Sequence, residues 1–100
     1  KNDYDDDVVK TKVSEYTKKI DKLIEDFEEK TTETDIETIY NKSVSLFNII
    51  KDERNDELRS KDAKELSNGN LIFKSLRRNG YIEKLIDLRN NSYDKCNSLT

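Results

Sequence analysis

A chain of 100 residues with 22 acidic and 19 basic side chains has a net charge of −3, and it contains no histidine, proline, methionine or tryptophan, two glycines and one cysteine. Without histidine it lacks the side chain best suited to proton transfer near neutral pH and the commonest metal ligand, and two glycines are too few for a GxGxxG or P-loop turn. An enzyme is therefore not expected, nor a cofactor or metal, and Cys96 alone can form no intrachain disulfide.

The apolar share of 32% predicts a narrow core in one small domain over residues 1–100, with 1–5 as a polar tether and 94–100 as a tail. No apolar run approaches the roughly 18 residues that span a membrane. Because the chain opens at Lys1 and has no methionine, an upstream segment is expected to have been removed. That segment could be a signal sequence, a larger protein or a designed boundary.

The first element is the clearest. Val9, Val13, Tyr16, Ile20, Leu23 and Phe27 recur at alternating spacings of four and three, a seam on one helix from about Asp5 to about Lys30. Asp5, Asp6 and Asp7 offer an N-cap and favourable charge in the first turn, and Ile24 widens the stripe. A repeat of this kind also suits packing between chains, so a dimer stays open.

Thr34-Asp35-Ile36-Glu37 reads as a capping box opening a second helix, with Ile36, Ile39, Tyr40, Val44, Phe47 and Ile50 on its apolar face. This helix reaches at least Glu53 and can continue, with a break near Asn55, through Leu58, Ala63 and Leu66. Asn68-Gly69-Asn70 then predicts a helix stop, with Asn70 capping a new helix from Leu71. Asn79-Gly80 predicts a turn or kink before a last helix, whose apolar pattern fades near Tyr93. The fold expected is all-α: a small antiparallel bundle of three principal helices plus one or two short pieces.

Charge is distributed unevenly. Residues 1–50 carry eight Lys and thirteen acids, while residues 51–100 carry eleven Lys or Arg and nine acids. The acids Asp21, Glu25, Glu28 and Glu29 lie off the seam, with Asp26 adjacent, and Glu33, Asp35 and Glu37 follow across the turn. Negative charge at a helix C-terminus opposes the macrodipole, so stability alone would not select this arrangement. Asp26 aside, these seven acids are the candidate partner-binding patch. Lys74, Arg77, Arg78, Lys84 and Arg89 form a modest basic cluster, expected to be an intramolecular counterpart to the acidic first half. Without a concentrated basic face, nucleic acid is not the expected partner. Contact with RNA through Lys74–Arg89 is the weakest of the options.

The leader Tyr4-Asp5-Asp6-Asp7-Val8-Val9, the acidic run Asp21–Glu29 and the capped Lys/Glu/Ile-rich helices resemble the small helical surface lipoproteins of spirochaetes. Within that group the chain looks most like the compact proteins that capture the host complement regulator factor H. The resemblance implies an extracellular module held at a cell surface by an N-terminal lipid anchor absent from this chain. Its implied partner is a soluble host plasma protein built of modules with basic faces, which suits an acidic ligand. The alternative is a structural helical segment of a larger coiled-coil protein that associates through its seam.

Overall fold

Asp5 holds an extended backbone (φ −102°, ψ 107°), and its Oδ1 accepts the amides of Asp7 and Val8 at 3.1 and 3.2 Å. That cap starts α1 (Asp6–Glu29), which ends where Lys30 returns to extended backbone (φ −88°, ψ 145°). The computed structural model describes residues 5–54 and 63–99, with the backbone alone for 63–66. The leader 1–4, the break expected near Asn55, Leu58, the packing of Ala63 and Leu66, and Thr100 lie outside the described residues.

α2 (Glu33–Arg54) starts two residues earlier than the capping box predicts. Thr32 caps it: its hydroxyl oxygen accepts the Asp35 amide at 3.2 Å and its carbonyl accepts the Ile36 amide at 3.0 Å. Thr34 lies inside the first turn, where its carbonyl accepts the Thr38 hydroxyl at 2.9 Å. The reason is local: an Ncap side chain serves the amide three residues on, and Thr32 already does so from a shorter connection.

α3 (Ala63–Arg78) passes straight through Gly69, so the predicted stop and the helix start at Leu71 are both corrected. Asn68 caps no helix end here; its Oδ1 accepts the Asp5 amide at 2.8 Å and ties α3 to the start of α1. Gly69 is buried against the Glu53 carbonyl of α2, where any side chain would intrude. A signal read locally as a helix terminator is a packing notch.

Gly80 is the glycine that ends a helix. It holds φ +82°, its amide bonds the Arg77 carbonyl at 3.0 Å, and its carbonyl accepts the Lys84 amide at 3.0 Å. α4 (Tyr81–Leu99) follows and runs through the stretch assigned to a tail, past the expected fade at Tyr93. Ser92, fully buried, carries the inward face beyond Leu88 without an apolar side chain. Its hydroxyl bonds the Leu88 carbonyl at 2.7 Å, so nothing polar is left unpaired.

The described residues thus form four helices and no strand, where three principal helices with short pieces were expected. The turn at Gly80 redirects the chain rather than reversing it. Along α1, Asp5 meets Asn68, Asp21 meets Tyr81 and Lys30 meets Lys95 in the same order, so α3 and then α4 run parallel to α1. Along α2 the order is reversed: Tyr40 meets Tyr93, Phe47 meets Arg89 and Arg54 meets Phe73. End to end, α3 and α4 supply about 52 Å of helix at 1.5 Å per residue, matching the 52 Å long axis.

The core lies along this seam. Ile20, Ile36, Ile50, Ile72, Leu76 and Leu85 are almost completely enclosed. In α1 the predicted seam faces inward, with Val9, Tyr16, Ile20 and Leu23 buried and Val13, Ile24 and Phe27 packed partly against them. In α2 the buried face is rotated: Ser43 and Leu46 are buried, while Tyr40, Val44 and Phe47 are half-buried. Ser43 and Ser92 are both small and both fully enclosed, which suits a close approach of α2 and α4.

Candidate functional site

α4 buries Ile82, Leu85, Leu88 and Ser92. At 100° per residue, Glu83, Asp87 and Asp94 fall on the opposite side, and all three are exposed. At the α2 edge of this acidic stripe stands Tyr93, 53% exposed. Its ring meets that of Tyr40 at 5.7 Å and 46°. One and two turns before Tyr40, Glu37 and Glu33 extend the acidic surface along α2, and both are exposed. Cys96 closes this end of the seam, with its sulfur 3.8 Å from the Glu33 carbonyl oxygen. Burial raises the Cys96 thiol pKa, and the negative charges of Glu37 and Glu33 raise it further.

The seven acids chosen from the sequence stand on two helices and meet different neighbours. Asp21 accepts the Tyr81 hydroxyl at 3.1 Å, beside the start of α4. That bond is the main reason the Tyr81 phenol pKa is raised. Glu25 stands 3.5 Å from Lys22, and Glu28 and Glu29 are exposed in the last turn of α1. Glu33 and Glu37 belong to the α2–α4 side, next to Cys96. Asp35 is half-buried at the end of the groove between α1 and α2, where Asp26, Lys30 and Lys42 also lie. Asp21, Glu25, Glu28 and Glu29, spaced i, i+4, i+7 and i+8, share the outer face of α1, whereas Glu33, Asp35 and Glu37 stand on α2.

Sequence reasoning missed Glu83, Asp87, Asp94 and the Tyr40–Tyr93 pair. The acids stand at i, i+4 and i+11, three turns of one helical stripe, so a wheel of the last helix would have exposed them. They were hidden by the net positive charge of the second half. The tyrosine pair has no sequence signal, since 53 residues separate its members.

The basic cluster also departs from expectation. Among the described residues, Lys74, Arg77, Arg78, Lys84 and Arg89 form no ion pair with the acidic first half. Two cations of the second half lie over aromatic rings of the first, Arg89 5.9 Å from the Phe47 ring centre and Lys95 5.1 Å from Phe27, while Arg54 lies 3.9 Å from Phe73 within the second half. Their stems cover half-buried rings while the charge stays hydrated. Among the described residues, no acid of the first half is ion-paired with a cation of the second.

No family model, curated protein or solved structure matches this chain. The side chains themselves therefore carry the functional reading. Among the described residues, no group of three acidic or cysteine side chains is close enough to hold a metal ion. No described helix is long and apolar enough to cross a membrane.

Proposed function

We propose that this chain is a non-enzymatic binding module, displayed extracellularly, that recruits a soluble host complement regulator of the factor H type to a cell surface. One observation carries the reading: a tyrosine pair, half-buried Tyr40 and exposed Tyr93, set between acidic residues of two helices, Glu33 and Glu37 on one side and Asp87 and Asp94 on the other. Tyrosines give large contact area at low entropy cost and are enriched among binding hot spots. The surrounding carboxylates would steer a partner with a basic face and set its orientation. The alternative, a structural coiled-coil segment, is weakened because its seam residues Tyr16 and Ile20 are buried within the chain itself.

A pull-down from serum with the folded chain, followed by mass spectrometry, tests the partner. Retention of factor H or a related regulator, lost at high salt, is the expected result; retention of no complement regulator overturns it. Two sets of charge reversals test the surface. Replacing Glu33, Glu37 and Asp94 with lysine should weaken binding and flatten its salt dependence, with the helical spectrum intact. If instead only reversal of Glu25, Glu28 and Glu29 weakens it, the contact lies at the end of α1.

A further inference from the structure

The face opposite α3 and α4 holds a groove of about 670 Å³ between α1 and α2. Its floor is aliphatic: Leu23 and Leu46, with Ile49 half exposed at 50%. Its walls are basic. Lys18 and Lys19 stand on α1 and Lys42 on α2, all exposed and without an ion pair among the described residues. Asp26 also reaches the groove, but its carboxylate is held by Lys22 at 3.2 Å. A second, smaller hollow of about 170 Å³ continues the seam towards the α1–α2 turn, sharing Leu23 and Lys42. From Lys18 to Lys30 the combined channel runs about 18 Å, the length of roughly 12 residues of helix.

We infer that this groove docks an amphipathic helix of a partner protein, with aliphatic residues on its inner face and carboxylates along both flanks. The shape is that of a trough between two antiparallel helices, which a third helix fills lengthwise. An inner face with anchors at i, i+3 and i+7 meets Leu23, Leu46 and Ile49, and its flanking acids meet the lysines on both walls. A second copy of this chain does not fit. Groove against groove would set lysine against lysine, and the acidic outer face of α4 offers Asn90 and Asn91 where aliphatic anchors are needed. This site is on a different face from the tyrosine pair and does not rest on the function proposed above.

The test uses the full chain and a labelled synthetic helix of about 14 residues, with leucines at i, i+3 and i+7 and glutamates on the flanks. A control peptide carries lysines in place of the glutamates. Saturable anisotropy binding of the glutamate peptide is expected, with the lysine peptide at least about tenfold weaker. Ile49→Asp should weaken binding by about tenfold or more, and because Ile49 is half exposed the fold should survive, as circular dichroism would show. Lys18→Glu with Lys42→Glu, at exposed positions, should remove the preference for the glutamate peptide. Reversal of Glu33, Glu37 and Asp94 should leave this binding unchanged. No saturable binding, equal affinity for the two peptides, or displacement of the peptide by dodecanoate below its micellar concentration would overturn the inference, the last by assigning the groove to an acyl chain. Self-association of the chain abolished by Ile49→Asp would overturn it in favour of a second copy.

Discussion

In α3, Gly69 packs directly against the backbone of Glu53 in α2: a Cβ at Gly69 would overlap the Glu53 carbonyl and lie 3.1 Å from the Arg54 nitrogen. Around this point the two helices are also joined by Arg54 over the Phe73 ring. Gly80 differs. It faces open space, and its backbone conformation rather than any neighbour demands glycine.

Gly69→Ala should therefore destabilise the protein although alanine is the better helix former. The substitution gains about 1 kcal/mol of helix propensity. Against this, overpacking costs about 1–3 kcal/mol or more, at the upper end when the obstacle is backbone that cannot rotate away. A net loss of about 2 kcal/mol corresponds to a fall in melting temperature on the order of 10 °C for a domain this size. A variant as stable as the parent in thermal and urea unfolding would show that α2 and α3 can separate at this crossing.

Tyr16 donates its hydroxyl to Glu53 across the α1–α2 interface. Burial first, then the hydrogen bond and charge of Glu53, push the Tyr16 phenol above its ordinary range. A phenol whose folded pKa lies above its unfolded value contributes stability that is fully present below about pH 10 and is lost as pH rises towards the folded pKa. Tyr16→Phe should cost about 1–2 kcal/mol at neutral pH and should flatten the decline in stability above about pH 10. Urea unfolding followed from neutral to alkaline pH measures both. Equal alkaline slopes in parent and variant would assign that decline to other groups.

Cys96 is half-buried, and its thiol is raised by burial and by Glu37 and Glu33. Since the thiolate is the nucleophile, a raised thiol leaves less of it at neutral pH. Iodoacetamide should alkylate Cys96 more slowly than a free thiol peptide at the same pH, and the difference should vanish in denaturant. Glu33→Gln with Glu37→Gln should raise the folded-state rate partway. Alkylation of the native chain at the free-thiol rate would refute this placement of Cys96.

The elements that could be read from sequence are those whose determinants lie within a few residues. The cap at Asp5 is one, because an Ncap carboxylate reaches only the next two or three amides. The inward seam of α1 is another, because its apolar spacing repeats over many turns. At Gly80 the local conformation itself requires glycine. The cap of α2 was misplaced by two residues because Thr32 and Thr34 offer similar hydroxyls, and only the length of the connection chooses between them. The acids are legible only in part: Asp21, Glu25, Glu28 and Glu29 share a face of α1 by helical spacing, while the neighbours of Glu33, Asp35 and Glu37 depend on how α2 meets α1 and α4.

Composition and periodicity alone determined that this protein is helical, that its first helix buries one face, and that its acids outnumber its bases in the first half. These properties follow from backbone preference and from side-chain spacing at 3.6 residues per turn, both local. Tertiary structure alone decided the role of Gly69 and the running of α3 and α4 as successive pieces of one rod. It also decided the meeting of Tyr40 with Tyr93 beside an acidic stripe, and the lysine-walled trough between α1 and α2. Each depends on which helix faces come together across separations of tens of residues, and that choice is made by packing the whole core at once rather than by any one segment.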